Sequence, residues 1–254
     1  MAVYYYCSRL MPDTKCWADL ERTLNLDLEG KRKKITYISG CMNSRLAPKK
    51  IKEESKSYRN GATKNLTKLG IEFDEFNLFW KNDDYAEMVD QIFQSNLIYL
   101  LGGNPVEQMN YIHSNGLRFI LKDYPGIVLG VSGGAMTMSS KIIVPACGDV
   151  YPETKVYSGL NLIDINVFPH FEVNEDTNSL MVKDGEIAMD EILSISEKYD
   201  MVGLSNGSIL RCSSDGIHVL GENPQIITNG NVVDASLVDD QIDDINVKRL
   251  VYKR

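Results

Sequence analysis

Short apolar runs recur through the first half of the chain: Val3-Tyr4-Tyr5-Tyr6-Cys7, Ile35-Thr36-Tyr37-Ile38, Ile71-Glu72-Phe73-Asp74-Glu75-Phe76, Leu97-Ile98-Tyr99-Leu100-Leu101 and Ile127-Val128-Leu129-Gly130-Val131. Each has the length of a buried strand. Between them lie amphipathic stretches, such as the one carrying Tyr85, Met88, Val89, Ile92 and Phe93, whose spacing lines one face of a helix. This alternation predicts βαβ units, and hence a three-layer α/β fold with a mostly parallel sheet and helices on both faces. Residues 47–68 are rich in Lys, Glu, Arg and Asn with few large apolar side chains, and read as a solvated helix.

The pattern changes in the second half. Residues 141–145 and 163–168 predict strands, and 180–198 predict a helix. From Met201 onward, short apolar runs are separated by Asn-Gly and Asp-Gly pairs, which favour hairpin turns. The last quarter is therefore expected to be antiparallel and to extend the edge of the same sheet. No linker, repeat or low-complexity segment interrupts the chain, so residues 1–254 read as a single domain.

Composition narrows the function. Hydrophobic residues make up 43% and charged ones 24%, ordinary values for a globular chain, so disorder is not indicated. The net charge of -8 argues against nucleic acid or an anionic membrane as partner, because both are bound largely through basic surface. No apolar run approaches the roughly 20 residues needed to span a bilayer. The five cysteines lack CxxC spacing and the chain starts without a basic, apolar leader, which together point to a reduced, cytoplasmic setting.

The candidate chemistry lies in Gly130-Val131-Ser132-Gly133-Gly134, at the end of an apolar strand. A Gly-x-Ser-x-Gly motif between strand and helix presents the serine on a sharp turn. The N–H of Gly133 is then the natural first donor of an oxyanion hole. A plain tight turn fits the same five residues. A second cluster, Leu101-Gly102-Gly103-Asn104-Pro105, also ends a strand before a helix, and the C-termini of parallel strands open onto one crevice. An N–H of Gly102 or Gly103 could supply the second donor.

A serine nucleophile needs a base. Three histidines are available: His113 within the helical stretch 107–117, His218 on a strand after the Asp215-Gly216 turn, and His170 ending Val167-Phe168-Pro169-His170-Phe171. His170 sits beyond a strand terminus, where bases are usually presented, and is the preferred base.

These motifs, together with Leu100-Leu101-Gly102-Gly103-Asn104 and Gly203-Leu204-Ser205-Asn206-Gly207-Ser208, occur in an order and spacing that resembles the serine peptidase family of dipeptidase E (aspartyl dipeptidase) and cyanophycinase. The resemblance implies a class I glutamine-amidotransferase-like (flavodoxin-like) fold, with Ser132 as nucleophile, His170 as general base and the 102–104 turn as oxyanion loop. It implies a small peptide as substrate, and neither a metal nor an organic cofactor. Whether the chain acts as a monomer or a homodimer is left open.

Two departures stand out. Where the family carries a triad glutamate, this chain has Asn206; Asp149, and after it Glu172, are alternative acids. The aspartyl dipeptidases carry basic residues just past the base, whereas residues 172–179 here contain no Lys or Arg and include Glu172, Glu175 and Asp176. A basic or neutral peptide is therefore expected rather than Asp-X. The alternatives are a weakly active or inactive relative that binds a peptide or small ligand, and an α/β-hydrolase-type esterase, in which His218 would be the base.

Overall fold

The computed structural model describes residues 2–31, 33–41, 46–81, 84–147, 151–182 and 185–235. Its first half runs β1 (Val3–Cys7), α1 (Trp17–Asp27), β2 (Lys34–Gly40), α2 (Pro48–Lys68), β3 (Glu75–Phe79), α3 (Tyr85–Gln94), β4 (Leu97–Gly103), α4 (Pro105–Ser114), α5 (Leu117–Asp123), β5 (Ile127–Val131) and α6 (Gly133–Met138). Strands β1, β5, β4, β2 and β3 lie side by side in that order, all parallel. Their C-terminal ends therefore share one edge.

Burial on both faces explains why these strands read as continuous apolar runs. Successive side chains point to opposite sides: Tyr5, Ile35 and Leu129 pack with Leu20, Leu24 and Leu66 of α1 and α2. On the other face Tyr6, Ile38 and Val128 pack with Met88, Ile92, Ile112 and Met138 of α3, α4 and α6. The expected three layers are present.

One run is displaced. Ile71 is buried but precedes β3, because it closes α2: its N–H donates to the carbonyl of Leu66 (3.0 Å), that of Gly70 donates to Thr67 (3.0 Å), and Gly70 takes φ 71°. This is a Schellman termination, with Ile71 as its hydrophobic plug.

The second half contains β6 (Lys141–Val144), β7 (Lys155–Ser158), β8 (Val167–Pro169), β9 (Val173–Asn174), β10 (Ser179–Val182), β11 (Gly185–Ala188), α7 (Met189–Ser196), β12 (Met201–Leu204), β13 (Ser208–Ser213), β14 (Gly216–Gly221), β15 (Gln225–Thr228) and β16 (Asn231–Asp234). The β13–β14 hairpin joins the edge of the main sheet antiparallel to β1, as expected. The rest of the last quarter does not. Strands β16, β15, β12 and β8 form a separate four-stranded sheet, with β12 parallel to β8. The free edge of β1 has room for one strand, and β13 occupies it. The chain changes sheets at Ser205-Asn206-Gly207, so this Asn-Gly pair is not a hairpin turn.

Where a helix is predicted over 180–198, β10 and β11 pair, and among the described residues only Met189–Ser196 is helical. Gly185, at φ 145°, lies in a region no helix contains. The strand expected over 163–168 is confined to Val167–Pro169. No helix among the described residues is long and apolar enough to cross a membrane.

The main sheet is tied to α1 by a charged clasp. Arg211 on β13 grips Asp27 at the end of α1 through two bonds of 2.8 and 2.9 Å, and the Tyr5 hydroxyl donates to the same carboxylate. Both charged side chains are about 85% covered, being 15% and 14% exposed. Removing one partner of such a pair leaves an uncompensated buried charge. Arg211→Met is expected to lower the unfolding free energy by about 3–5 kcal/mol in urea titration. A loss under about 1 kcal/mol would mean that the pair behaves as a surface bridge.

Candidate active site

Ser132 follows β5 at φ 54° and ψ −118°, a conformation that L-residues seldom adopt. Such strain costs on the order of 1–3 kcal/mol and must be held by its surroundings. Its N–H donates to the carbonyl of Cys7 at the end of β1 (2.8 Å), and its carbonyl accepts from Ala135 and Met136 as α6 begins. The flanking glycines let backbones touch: a Cβ on Gly133 would lie 2.1 Å from the Gly103 carbonyl oxygen, and one on Gly134 would lie 2.1 Å from that of Leu100.

The second glycine turn sits against the first. A Cβ on Gly102 would come within 3.5 Å of the Ser132 Cβ, and Gly103 has φ 133°. Asn104 fixes the exit by accepting from the N–H groups of Val106 (3.0 Å) and Glu107 (3.1 Å), capping α4. The buried Gln108 amide donates to the carbonyls of Ile38 (3.0 Å) and Leu101 (3.1 Å), pinning β2 and β4 together just before the turn.

His170 and Asn206 arrive from the smaller sheet. Because β8 and β12 are parallel neighbours, the residues that follow them emerge side by side. His170 Nε2 lies 2.9 Å from Ser132 Oγ, and its Nδ1 lies 2.8 Å from Asn206 Oδ1. An Nδ1–H donated to that amide oxygen leaves the Nε2 lone pair facing the serine hydroxyl. His170 is also left-handed, at φ 58°.

Ser8, which the sequence reading did not single out, completes the group. It follows β1, is fully buried, and its Oγ accepts from the His170 N–H at 2.7 Å. The same rule that marked Ser132 and Gly102 could have found it, since it too lies just past the C-terminal end of a parallel strand.

Of the other candidate acids, Glu172 makes no bond to the imidazole. Glu172 Oε1 instead accepts from the Asn206 N–H (3.1 Å), holding the turn, while Asp149 lies outside the described residues. Behind the same turn, Ser205 donates to Glu222 Oε2 (2.6 Å) and Lys15 pairs with Glu222 (2.6 Å). Lys15 and then Ser205 hold that carboxyl below its usual range. His113 is on α4, and His218 on β14 pairs with Asp215 at 3.2 Å; neither lines the cleft at Ser132.

That cleft has a volume of about 1120 Å³. Its lining includes Arg9, Leu10, Tyr58, Val144, Tyr151 and Tyr157. Its charged lining is mixed, with Arg9 and Lys155 against Glu54 and Glu107. Residues 172–179 are not part of its lining; the first of them, Glu172, faces the backbone of Asn206 instead. Among the described residues, no group of three or more His, Cys, Asp or Glu is placed to hold a metal.

A mostly parallel sheet between helical layers, with a serine at a strained strand-to-helix turn over the strand C-termini, belongs to the class I glutamine-amidotransferase-like α/β folds. Within that class the chain belongs to peptidase family S51, the family of dipeptidase E and cyanophycinase, whose sequence profile matches residues 17–220. Two solved structures share the fold. A peptidase from an acI-B1 Actinobacterium is 17% identical, with TM-score 0.59 over 92% of this chain and 97% of its own. A protein described as a peptidase E, from Listeria monocytogenes EGD-e, is 16% identical, with TM-score 0.57 over 87% and 98%. A search of curated proteins finds no match.

The contact between the two glycine turns is open to test. Gly133→Ala forces a methyl into the space of the Gly103 carbonyl, so the variant is expected to lose about 1–3 kcal/mol of stability in thermal or chemical unfolding. Wild-type stability in this variant would show that the two turns are not tightly apposed.

Proposed function

We propose that the protein is a serine peptidase of the dipeptidase E type that cleaves small peptides through an acyl-enzyme on Ser132. The observation that carries this reading is the in-line series Ser132 Oγ, His170 Nε2, His170 Nδ1, Asn206 Oδ1, with gaps of 2.9 and 2.8 Å. Ser132 Oγ attacks the peptide carbonyl while His170 Nε2 accepts its proton. The oxyanion that forms is held by the N–H of Gly133 and one from the Gly102-Gly103 turn. His170 then returns the proton to the leaving amine, and in the second half takes one from the water that hydrolyses the ester. Asn206 orients the imidazole but brings no negative charge to the imidazolium. The reaction needs no metal or organic cofactor.

The mixed lining of the cleft suits a small zwitterionic peptide, with basic groups such as Arg9 and Lys155 for carboxylates and Glu54 for an ammonium. On this reading the cleft takes acidic as well as neutral and basic peptides.

A fluorophosphonate probe tests the reading. Labelling is expected on Ser132, absent in Ser132→Ala, reduced at least about 10³-fold in His170→Ala, and unchanged in His218→Ala. A folded protein that stays unlabelled would instead support the second reading, a peptide-binding relative without catalysis, which the neutral Asn206 favours. Restoring the charge is the complementary test. Asn206→Asp is expected to raise the labelling rate about tenfold or more and to move the ascending limb of its pH–rate profile to higher pH, since a carboxylate favours the protonated ring. An equal or slower rate would mean that the amide already does all that position requires.

A further inference from the structure

An asparagine beside a catalytic-type histidine raises a problem that a carboxylate does not. A carboxylate presents oxygen on both arms, whereas an amide presents oxygen on one and N–H on the other. If Asn206 turned its nitrogen to the ring, Nδ1 would have to accept, the ring proton would move to Nε2, and His170 would donate to Ser132 instead of taking its proton. The structure must therefore hold the amide oxygen-first by some other group.

We propose that Ser8 is that group: a positioning residue that fixes the orientation of the Asn206 amide and, through it, the tautomer of His170. The proposal rests on the roles of Ser132 and His170 given above. Ser8 Oγ is fully buried and accepts the His170 backbone N–H at 2.7 Å, so its own proton must point elsewhere. Two acceptors lie within reach, Asn206 Oδ1 and His170 Nδ1, each at a long 3.4 Å.

Counting lone pairs decides between them. An amide oxygen accepts two hydrogen bonds, whereas an imidazole nitrogen has a single in-plane lone pair. With the amide oxygen-first, Oδ1 accepts both the Nδ1–H and the Ser8 hydroxyl, and both of these donors are matched. With the amide reversed, its N–H and the Ser8 hydroxyl compete for one lone pair on Nδ1, and one buried donor is left unmatched. Unmatched buried donors are costly, so the serine hydroxyl biases the pair toward the arrangement in which Nε2 is free to act as base.

The consequence is specific: Ser8 matters to the tautomer only while residue 206 is an amide. The experiment is ¹⁵N NMR of the His170 ring in the resting protein, which needs no turnover. Wild type is expected to show the Nδ1–H tautomer. Ser8→Ala is expected to shift the ratio of tautomers toward Nε2–H by about tenfold, and Ser8→Cys, which keeps the shape with a weaker donor, by less. Adding Asn206→Asp to Ser8→Ala is expected to restore Nδ1–H. Probe labelling gives the matching cycle: Ser8→Ala slows Ser132 about tenfold beside Asn206 but less than about threefold beside Asp at that position.

A purely structural role, acting through the His170 backbone N–H, would give the same loss in both backgrounds and leave the tautomer unmoved. Either result overturns the proposal. So does an Nε2–H tautomer in the wild-type protein, which needs no variant to fold. If no form labels at all, the peptidase reading falls, while the NMR still decides the part played by Ser8.

Discussion

Everything in the cleft depends on two backbones being allowed to touch. Gly133, the first residue of α6, lies against the Gly103 carbonyl with no room for a side chain, and Gly134 does the same against Leu100. That contact seats α6 directly over the end of β4. With the Ser132 N–H tied to Cys7, it leaves the serine no relaxed conformation, so φ 54° is imposed by the packing on both sides. The strain is local, but its cause is the junction of three parallel strands. The presentation of the hydroxyl is in this sense a property of the sheet.

The partners of the serine come from a different sheet, and this makes their meeting more demanding. Strand β8 is only three residues long, and it is aligned by β12, whose Val202, Gly203 and Leu204 pair with Val167, Phe168 and Pro169. The Phe171 N–H then donates to the Leu204 carbonyl, locking the two strand ends together beyond the last paired residue. His170 and Asn206 thus follow two strand ends that are bonded to each other. Ser8 joins these ends to the main sheet, since it follows β1 in the chain and bonds the backbone of His170. The serine and the imidazole, 2.9 Å apart, thus come from two sheets that meet at this buried hydroxyl.

The legible and illegible parts of the sequence divide along physical lines. Strands buried on both faces carry their signal in consecutive residues, so β1 and β5 were read to the residue and β4 nearly so. The glycine turns and His170 were legible because they directly follow such strands. Ile71 misled because a hydrophobic plug on a helix terminus and the start of a strand look alike over two or three residues. Residues 180–198 misled because the periodicity of β10, β11 and α7 was averaged over elements too short to show a period. The separate β8–β12–β15–β16 sheet was illegible for a deeper reason: whether β12 or β13 takes the open edge of β1 is a competition between strands, and local pattern does not record its outcome. Ser8 was passed over because a lone serine carries no pattern, only a position.

Asn206 becomes intelligible once its neighbours are counted. Two carboxylates already serve its turn: Glu172 accepts the backbone N–H of Asn206 itself, and Glu222 holds Ser205 while paired to Lys15. A carboxylate at position 206 would be a third negative group around this turn and would feel their repulsion, offset by its attraction to the protonated ring it faces. A neutral amide avoids that repulsion and still offers one good acceptor to the imidazole. The negative charge of the region lies on Glu172 and Glu222, which shape the backbone of the turn, and the ring is left to a dipole. That exchange explains why a neutral residue can occupy the place without loss of geometry. It also explains why orientation has to come from a hydroxyl: a charge attracts a proton from either oxygen, whereas an amide does so from one side only.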